Sequence, residues 1–351
     1  RSGEGERALE QIIQAHFSSG DVASIPGIIR RNQAGDIITT PGHLSIIDDL
    51  DSLPFPAYDL IDVSLYWKSQ SAIAIPKRRY ISLCSSRGCP FNCNFCHHVL
   101  GSSCRMHSAE RIVEELRYFS NKYNVSEFEF VDDIFNLNKN RLLNFCQLVH
   151  AKNLKLKLAF VNGMRGDILT PDTIAGLISA GMYFSSFALE SGSERIQKLI
   201  GKNLDLSRAI DNIEYAADKG VFTNGFAMMG FPTETLDEIN STIELACRSK
   251  LHTIAFHTVT PFPGTDLYNL ILKTIPDRLA NLQFNNLEYC NARINLSSLP
   301  DELFFSLQRK ANRRFFLDPK RIIRILKDHP QPCLLPAYLP LFIKRLSKGW
   351  L

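Results

Sequence analysis

The stretch RYISLCSSRGCPFNCNFCHH, residues 79–98, joins an apolar run to a tight group of cysteines. Its first part, residues 79–86, predicts a β-strand, because apolar and aromatic residues there are bounded by Ser and Gly. Three cysteines follow at the spacing C-x3-C-x2-C: Cys89, Cys93 and Cys96. Parallel α/β proteins place their chemistry on the loops at the C-terminal ends of strands. The stretch therefore predicts a thiol-rich site directly after the first strand of an α/β domain.

Three thiols on one short loop have three possible uses. Structural zinc takes four ligands, commonly from two separated pairs, so His97 or His98 would have to supply the fourth from beside Cys96. A catalytic dithiol needs two cysteines, which leaves the third superfluous. Iron–sulfur clusters are bound by cysteine thiolates, and three thiolates leave one iron open for a small molecule. The compact spacing favours the cluster over the two alternatives.

The residues around the three cysteines suit a cluster loop. Gly88 and Pro90 permit a tight turn around the first thiol. Phe91 and Phe95 would exclude water, which affects the redox potential of a bound cluster. The remaining cysteines are scattered singly, as small core residues are: Cys84, Cys104, Cys146, Cys247, Cys290 and Cys333. The sequence thus contains one cysteine group that predicts a metal site.

Away from the cysteines, short apolar runs alternate with helical patterns. The candidate strands are 79–86, 127–133, 156–163, 182–190, 221–230 and 253–262. The segments between them repeat apolar residues every three or four positions, as helices do, and Ser108 and Thr170 lie where N-caps are expected. Alternating strands and helices with right-handed crossovers predict an α/β fold, a partial (β/α)6 TIM-like barrel. Beyond about residue 285 the alternation stops, and two helices are expected as a C-terminal helical extension.

The motif C-x3-C-x-aromatic-C after the first strand of such a barrel resembles that of radical S-adenosylmethionine (SAM) enzymes. The resemblance implies a [4Fe-4S] cluster whose open iron binds SAM, with Cys89, Cys93 and Cys96 as iron ligands. It further implies reductive cleavage of SAM to a 5′-deoxyadenosyl radical, which abstracts hydrogen from a small-molecule substrate. The cofactor carries this chemistry, and the protein positions it. An electron donor such as flavodoxin or ferredoxin is the implied partner.

Four further stretches are similar to motifs of that family, in the same order. Loops that meet the SAM amino acid and ribose are matched by FVDDIFNLN (130–138) and FALESGSERIQKLIGKN (187–203). An arginine site for the SAM carboxylate is matched by NGMRGD (162–167). A loop that packs against adenine is matched by NGFAMMGFPTET (224–235). The implied cofactor-binding residues are Phe95, Asp132, Asp133, Arg165, Glu190, Ser191, Ser193 and Gly230. No catalytic residue is implied.

Simpler roles compete with several of these assignments. The two aspartates could belong to a helix-capping loop, and Ser193 could be a plain N-cap. Arg165 could be an exposed arginine paired with Asp167. The usual subfamily motif ends in Gly-x-Pro-Gly-Glu-Thr, and Thr233 replaces its second glycine, which leaves the path of that loop open.

The first residues resemble the segment that joins a cobalamin-binding domain to the barrel in cobalamin-dependent members, which include a magnesium-protoporphyrin ester cyclase and C-methyltransferases. The expected division is 1–75 as a remnant of that domain and linker, 76–285 as the barrel, and 286–351 as the helical region. No Asp-x-His-x-x-Gly cobalamin signature is present. We therefore expect a truncated fragment, with cobalamin bound only in a longer protein.

Three functions follow from these patterns. The first is a radical SAM enzyme that performs C-methylation or ring formation. The second is a radical SAM oxidation or rearrangement without cobalamin. The third is a non-enzymatic iron–sulfur scaffold, against which the SAM-facing motifs count. The reducing cytoplasm suits the free thiols.

Charge is unevenly distributed along the chain. The net charge is +4, of which residues 301–351 carry +7 and the remainder −3. A basic tail could meet an anionic partner, although a solvated helix face is the simpler explanation, and no nucleic acid is expected. No apolar run reaches about 18 residues, so no transmembrane helix is predicted. The terminal residues 333–351 mix apolar and basic side chains and could lean on a membrane surface or cover the barrel.

Overall fold

A computed structural model gives the structure of the protein. It describes residues 4–18, 20–32, 34–42, 46–68, 73, 78–279, 294–336 and 340. The strands are β1 (Ile29–Arg31), β2 (Ile37–Thr39), β3 (Tyr80–Leu83), β4 (Ser86–Arg87), β5 (Arg105–Met106), β6 (Glu127–Phe130), β7 (Lys157–Met164), β8 (Met182–Glu190), β9 (Phe222–Met229) and β10 (Thr253–Thr258).

Six of these strands form one parallel sheet in the order β3-β6-β7-β8-β9-β10, which is also their order along the chain. Each connection between neighbours contains at least one helix. Because all six strands are parallel, their C-terminal ends lie at the same edge of the sheet. The helical crossovers curl this sheet in one direction. The prediction of a partial TIM-like barrel with six strands is confirmed.

Eight of the described helices begin at a residue whose side chain caps the first turn. The helices are α1 (Gly5–Phe17), α2 (Ser64–Trp67), α3 (Ala109–Tyr123), α4 (Lys139–Ala151), α5 (Pro171–Ser179), α6 (Glu194–Leu199), α7 (Leu206–Asp218), α8 (Leu236–Arg248), α9 (Asp266–Thr274), α10 (Asp301–Phe316) and α11 (Pro319–Asp328). Of these described helices, α1, α2 and α10 lack such a cap. Ser108 accepts a hydrogen bond from the first turn of α3, and Thr170 forms a capping box before Pro171 of α5. Both predicted N-caps are confirmed.

The two faces of each strand separate the core from the barrel interior. On β6, Phe128 and Phe130 are fully buried in the core beneath the helices. Glu127 and Glu129 point to the opposite face, because side chains alternate along a strand, and both pair with Arg78. The outer face of the sheet therefore holds the apolar core, while the interior carries charge.

The edge strand β3 is covered by the segment that precedes it. The Tyr58 hydroxyl donates to the Ser82 carbonyl at 2.6 Å, and the Trp67 Nε1–H donates to the Tyr80 carbonyl at 2.8 Å. Edge strands present unpaired backbone groups that invite another strand. This segment contains α2 and short 3-10 turns, and two of its aromatic side chains take the place of a neighbouring strand.

The C-terminal extension closes the end of the barrel opposite the cysteines. Arg321 of α11 is 1 % exposed. It donates to the carbonyl of Cys247, within the last turn of α8, at 2.9 Å and to that of Ser249, just beyond the helix, at 3.1 Å. Ile325 and Leu334 pack against interior residues of the strands. The two predicted C-terminal helices, α10 and α11, are thereby confirmed.

The boundaries of the three predicted domains stay predictions. Much of the region from 280 to 293 and from 337 onwards lies outside the described residues, which includes most of the terminal segment expected to lean on a membrane or cover the barrel. None of the described helices combines the length and the apolar character needed to cross a membrane.

Candidate functional site

The cysteine loop is closed at its base by a small hairpin. β4 and β5 pair antiparallel on either side of residues 88–104, so both ends of the loop are fixed to the edge of the sheet. Gly88 has φ +84°, and a Cβ there would lie 2.9 Å from the Gly101 carbonyl oxygen. Only glycine fits that combination of backbone conformation and space, as the predicted tight turn requires.

The three thiols of this loop differ in their exposure. Cys93 is buried, Cys89 is half-buried and Cys96 is exposed. Burial raises the pKa of the Cys93 thiol, and the positive charge of Lys202 acts against that rise. Within the part of the chain that the structure describes, no three His, Cys, Asp or Glu side chains converge as tightly as a single metal ion requires.

Arg165, predicted to face the SAM carboxylate, is buried and bonded within the protein. It forms a bidentate ion pair with Asp167 at 2.9 and 3.0 Å and donates to the carbonyls of Lys202 and Asn203. Its guanidinium lies 4.0 Å above the ring of Phe91 in the cysteine loop. Arg165 is therefore paired with Asp167, as the simpler alternative had it, but it is buried rather than exposed and it supports the cysteine loop.

Asp132 and Asp133 occupy different environments although they adjoin. Asp132 is buried and accepts hydrogen bonds from the Ser85 amide and from the hydroxyls of Ser85 and Ser86. Burial raises the pKa of Asp132, against those hydrogen bonds. Asp133 is exposed and close enough to act electrostatically on Cys89. Of the two, Asp133 is placed to meet an ammonium group, whereas Asp132 holds the start of the cysteine loop.

Glu190 ends β8 in a backbone conformation that is unusual for its residue type. Its φ is +62°, in the left-handed region that non-glycine residues rarely adopt, and the register between β8 and β9 shifts at the same point. The carboxylate is buried and lies 3.1 Å from the Lys202 ammonium. Backbone strain of this kind clusters at functional sites, so the predicted SAM-binding carboxylate lies where such strain is expected.

Lys202 is the partner that the sequence analysis missed. Its side chain is 12 % exposed. Burial alone would lower the pKa of Lys202, but Glu190 and then Cys93 outweigh burial, so the pKa is raised. Lys202 thus places a buried positive charge between Glu190 and the thiols. The signal was present, because Lys202 lies within the stretch quoted for Glu190, twelve residues after it.

Ser191 and Ser193 bond within the protein. The Ser191 hydroxyl accepts from the Ser193 amide at 3.1 Å and lies 3.3 Å from the Thr242 hydroxyl. Ser193 caps α6 and donates to Glu238 at 3.0 Å. The N-cap alternative therefore describes Ser193, and contact of either serine with SAM remains a prediction without a supporting contact.

The loop after β9 is shaped by a buried glutamate. Glu234 accepts from the amides of Gly230 and Phe231 at 2.6 and 3.1 Å. Burial raises the pKa of Glu234 to about 7, and those two hydrogen bonds oppose the rise. A Cβ at Gly230 would lie 2.9 Å from the Phe304 ring of α10. Gly230 is therefore needed for close packing, and its predicted contact with adenine remains untested.

Thr233 adopts the conformation that the glycine of the family motif would favour. Its φ is +63°, although a β-branched residue is strained there. Arg195 donates to the Thr233 carbonyl at 2.9 Å and to its hydroxyl at 3.1 Å. The substitution therefore leaves the loop in a glycine-like conformation at a cost in strain.

Phe95 belongs to the cysteine loop, and its ring packs against apolar residues below the loop, as expected of a residue that excludes water. Its ring centroid lies 6.1 Å from that of Phe231, within an apolar cluster that includes Ile196 and Leu267. His97 stacks near Phe262 at 4.8 Å. Neither histidine next to Cys96 is placed as a fourth ligand by any contact described here.

The residues at this edge fit a cluster and SAM. Three thiols on one loop are the donor set that an iron–sulfur cluster takes. A buried ammonium and a buried carboxylate beside them complement the carboxylate and ammonium of an amino acid such as the methionine part of SAM. The chemistry of the donor set therefore agrees with the cofactors that the motif implied.

Known proteins of one superfamily are similar to this chain. The model of the radical SAM superfamily matches residues 83–246. An uncharacterized methyltransferase of Pyrococcus horikoshii is 30 % identical over 93 % of this chain and 69 % of its own length. The anaerobic magnesium-protoporphyrin IX monomethyl ester cyclase of Cereibacter sphaeroides is 22 % identical over 76 % of this chain and 43 % of its own.

Among solved structures, the radical SAM methyltransferase TsrM of Kitasatospora setae, with cobalamin and a [4Fe-4S] cluster bound, is similar with a TM-score of 0.64 and 16 % identity. The match covers 78 % of this chain and 53 % of TsrM. At that identity the likeness concerns the fold. The chain thus spans from two fifths to about two thirds of the length of these proteins. Motif order, fold and relatives agree: the chain belongs to the radical SAM superfamily of enzymes, which use a [4Fe-4S] cluster and SAM.

Proposed function

We propose that the C-terminal edge of the barrel binds a [4Fe-4S] cluster through Cys89, Cys93 and Cys96, and SAM against Glu190 and Lys202. The observation that carries the proposal is the buried Glu190–Lys202 pair at 3.1 Å beside the cysteine loop. A buried charge pair is a weak source of stability, because desolvation offsets its attraction. A charge pair at a strained residue beside three thiols is better explained by a role in ligand binding than by a role in folding.

Each protein group has a defined task in this proposal. When bound, the cluster supplies the electron that cleaves SAM reductively. The three thiols bind as thiolates, which the positive charge of Lys202 favours. Lys202 donates hydrogen bonds to the SAM carboxylate, Glu190 accepts from the ribose hydroxyls or the ammonium group, and Asp133 attracts the ammonium group. Phe95 keeps water from the site.

The proposed reaction is C-methylation or ring formation on a small molecule. The relatives, a methyltransferase and a cyclase, support this range. Cobalamin, which is bound in TsrM, would act in a longer protein, because this sequence has no Asp-x-His-x-x-Gly signature. The proposed partner is a small electron donor such as flavodoxin or ferredoxin, and the proposed compartment is the cytoplasm.

Anaerobic reconstitution with iron and sulfide tests the proposal. We expect about four irons per chain, the content of a [4Fe-4S] cluster. With dithionite and SAM, the protein should then release 5′-deoxyadenosine. Cys93→Ala should lose both the iron and the product, whereas Cys333→Ala, at an exposed cysteine in the C-terminal region, should keep both. Full iron content in Cys93→Ala, or zinc uptake without iron in the unsubstituted protein, would refute the assignment.

A further inference from the structure

Asn94 lies between the second and third cysteines and bonds two separate helices. Its backbone N–H donates to the Ile200 carbonyl at 2.9 Å. Its side-chain Nδ2 donates to the Leu199 carbonyl at 3.0 Å. Its own carbonyl accepts from the Leu267 N–H at 2.9 Å. Asn94, one of the two residues between Cys93 and Cys96, thus has three fixed partners.

Those partners are groups that a helix cannot satisfy by itself. Leu199 ends α6 and Ile200 is its C-cap, so their carbonyls have no partner within the helix. Leu267 lies in the first turn of α9, where backbone N–H groups likewise lack one. The cysteine loop therefore serves as the cap of both helices, and its position is tied to theirs.

Close packing enforces the same position. Gly201 has φ +68°, and a Cβ there would lie 2.6 Å from the Asn92 carbonyl oxygen. Phe95, on the other side of Asn94, packs into the apolar cluster to which α6 and α9 contribute Ile196, Ile200, Leu267 and Ile271. The loop is thus held from three sides, by hydrogen bonds, by a close backbone approach and by an aromatic ring.

The turn that Asn94 bonds also carries Lys202. Arg165 donates to the Lys202 carbonyl at 2.9 Å while its guanidinium stacks on Phe91 of the loop. We propose that Asn94 is a positioning residue: it fixes the Cys93–Cys96 segment relative to the Lys202–Glu190 pair, and so sets the distance between the cluster and the charged groups that bind SAM. This inference rests on the proposed function.

Asn94→Asp is the sharpest substitution, because it keeps the shape of the side chain and replaces the Nδ2 donor with an oxygen that faces the Leu199 carbonyl. All three iron ligands remain, so the variant should still bind iron. Removing a group that orients metal ligands typically costs about 10- to 100-fold in affinity or activity. We expect the dissociation constant for SAM, read from the EPR change of the reduced cluster, to rise about tenfold or more.

Gly201→Ala disturbs the packing of the cysteine loop against the turn after α6 from the side of the turn. It should change the EPR spectrum as Asn94→Asp does and should likewise weaken SAM binding. Asn121→Asp, at an exposed residue of α3, is the matched control and should behave as the unsubstituted protein. If Asn94→Asp does not fold, Asn94→Ser keeps the two backbone hydrogen bonds and is measured in its place.

Two results would overturn the inference. One is unchanged EPR and SAM affinity in both iron-loaded variants. The other is a lower melting temperature with SAM affinity unchanged, which is the result for a residue that only supports folding. Failure of the unsubstituted protein to bind iron or SAM would instead refute the proposed function, so the two failures are distinguishable.

Discussion

The two ends of the barrel both bury charged side chains, but they use them differently. At the N-terminal end, Arg78 precedes β3 and pairs with Glu127 and Glu129 on β6. At the C-terminal end, Lys202 and Glu190 lie beside three thiols. The first group is enclosed by strands and is satisfied within the protein. The second group is paired but adjoins a loop that can take a ligand, and one of its members has a strained backbone.

The comparison separates charge that supports the fold from charge that supports binding. Substitutions at the N-terminal end should lower stability and leave ligand binding intact. Substitutions at the C-terminal end should weaken ligand binding, whatever loss of stability accompanies them. The following predictions test that division in order of decreasing effect.

Arg78→Met should have the largest effect on stability. The substitution leaves Glu127 and Glu129 buried beside each other without the guanidinium that pairs with both. Breaking a buried ion pair on one side costs about 3–5 kcal/mol. Urea unfolding should show that loss in the free energy of unfolding, whereas Arg79→Met, at the exposed neighbouring residue, should change it by less than about 1 kcal/mol. Equal losses in the two variants would contradict the assignment.

His252, at the N-terminal end of β10, should make stability depend on pH. Burial lowers the pKa of His252 to about 4, while Asp328 acts in the opposite direction and Arg324 and Arg321 lower it further. Between pH 6.5 and 4 the unfolded chain therefore binds a proton that the folded chain does not. Stability should fall by about 3 kcal/mol as the pH decreases through that window.

The variant His252→Gln should remove this dependence while lowering stability at pH 7.5 through lost hydrogen bonds. Urea unfolding at several pH values measures both effects. A slope between pH 6.5 and 4 that is the same in the variant and the unsubstituted protein would show that other groups cause it.

Lys202→Met should weaken SAM binding as well as lower stability, because it leaves the Glu190 carboxylate buried without its partner. Loss of the ammonium removes a charge-assisted hydrogen bond to the SAM carboxylate, an interaction that contributes about 1.5–3 kcal/mol. The dissociation constant for SAM should therefore rise about 10- to 100-fold. Lys198→Met, at an exposed lysine of α6, is the matched control. If both variants bind SAM as tightly as the unsubstituted protein, the Lys202–Glu190 pair belongs with the structural charges.

Thr233→Gly should have the smallest effect and the opposite sign. Relief of the left-handed strain gains about 1–2 kcal/mol, and the greater freedom of glycine in the unfolded chain costs about 0.5–1 kcal/mol. The melting temperature should rise by about 1–3 °C. Thr235→Gly, at the N-cap of α8 with φ −96°, should lower it instead. A decrease of equal size in both would mean that Thr233 is not strained.

The sequence predicted the order of the strands and the cysteine loop because both depend on local patterns. The apolar runs located all six strands of the sheet, and Ser108 and Thr170 located two helix starts. Glu190 was predicted by motif, and its strained backbone supports that choice. These features require only neighbouring residues along the chain.

Features that depend on contacts between distant segments were not predictable. Asn94 and Lys202 gain their roles because curvature of the sheet brings the turn after α6 against the cysteine loop. Asp132 and Ser191 match family positions, yet their side chains bond to Ser85 and Thr242. A motif locates a loop at the edge of the sheet, but side-chain direction within that loop is set by neighbours from other strands.

The bonds of Asn94 have a consequence for how the protein is made. The cysteines leave the ribosome well before Leu199, which is 105 residues further along the chain from Asn94, and Leu267 emerges later still. Because domains are synthesised from the N-terminus, the helices α6 and α9, which hold the cysteine loop in place, are translated only after the three cysteines. If the three thiols bind a cluster as proposed, the loop reaches its fixed geometry only after α9 has been translated, and iron and sulfide would be installed in that geometry late in biogenesis.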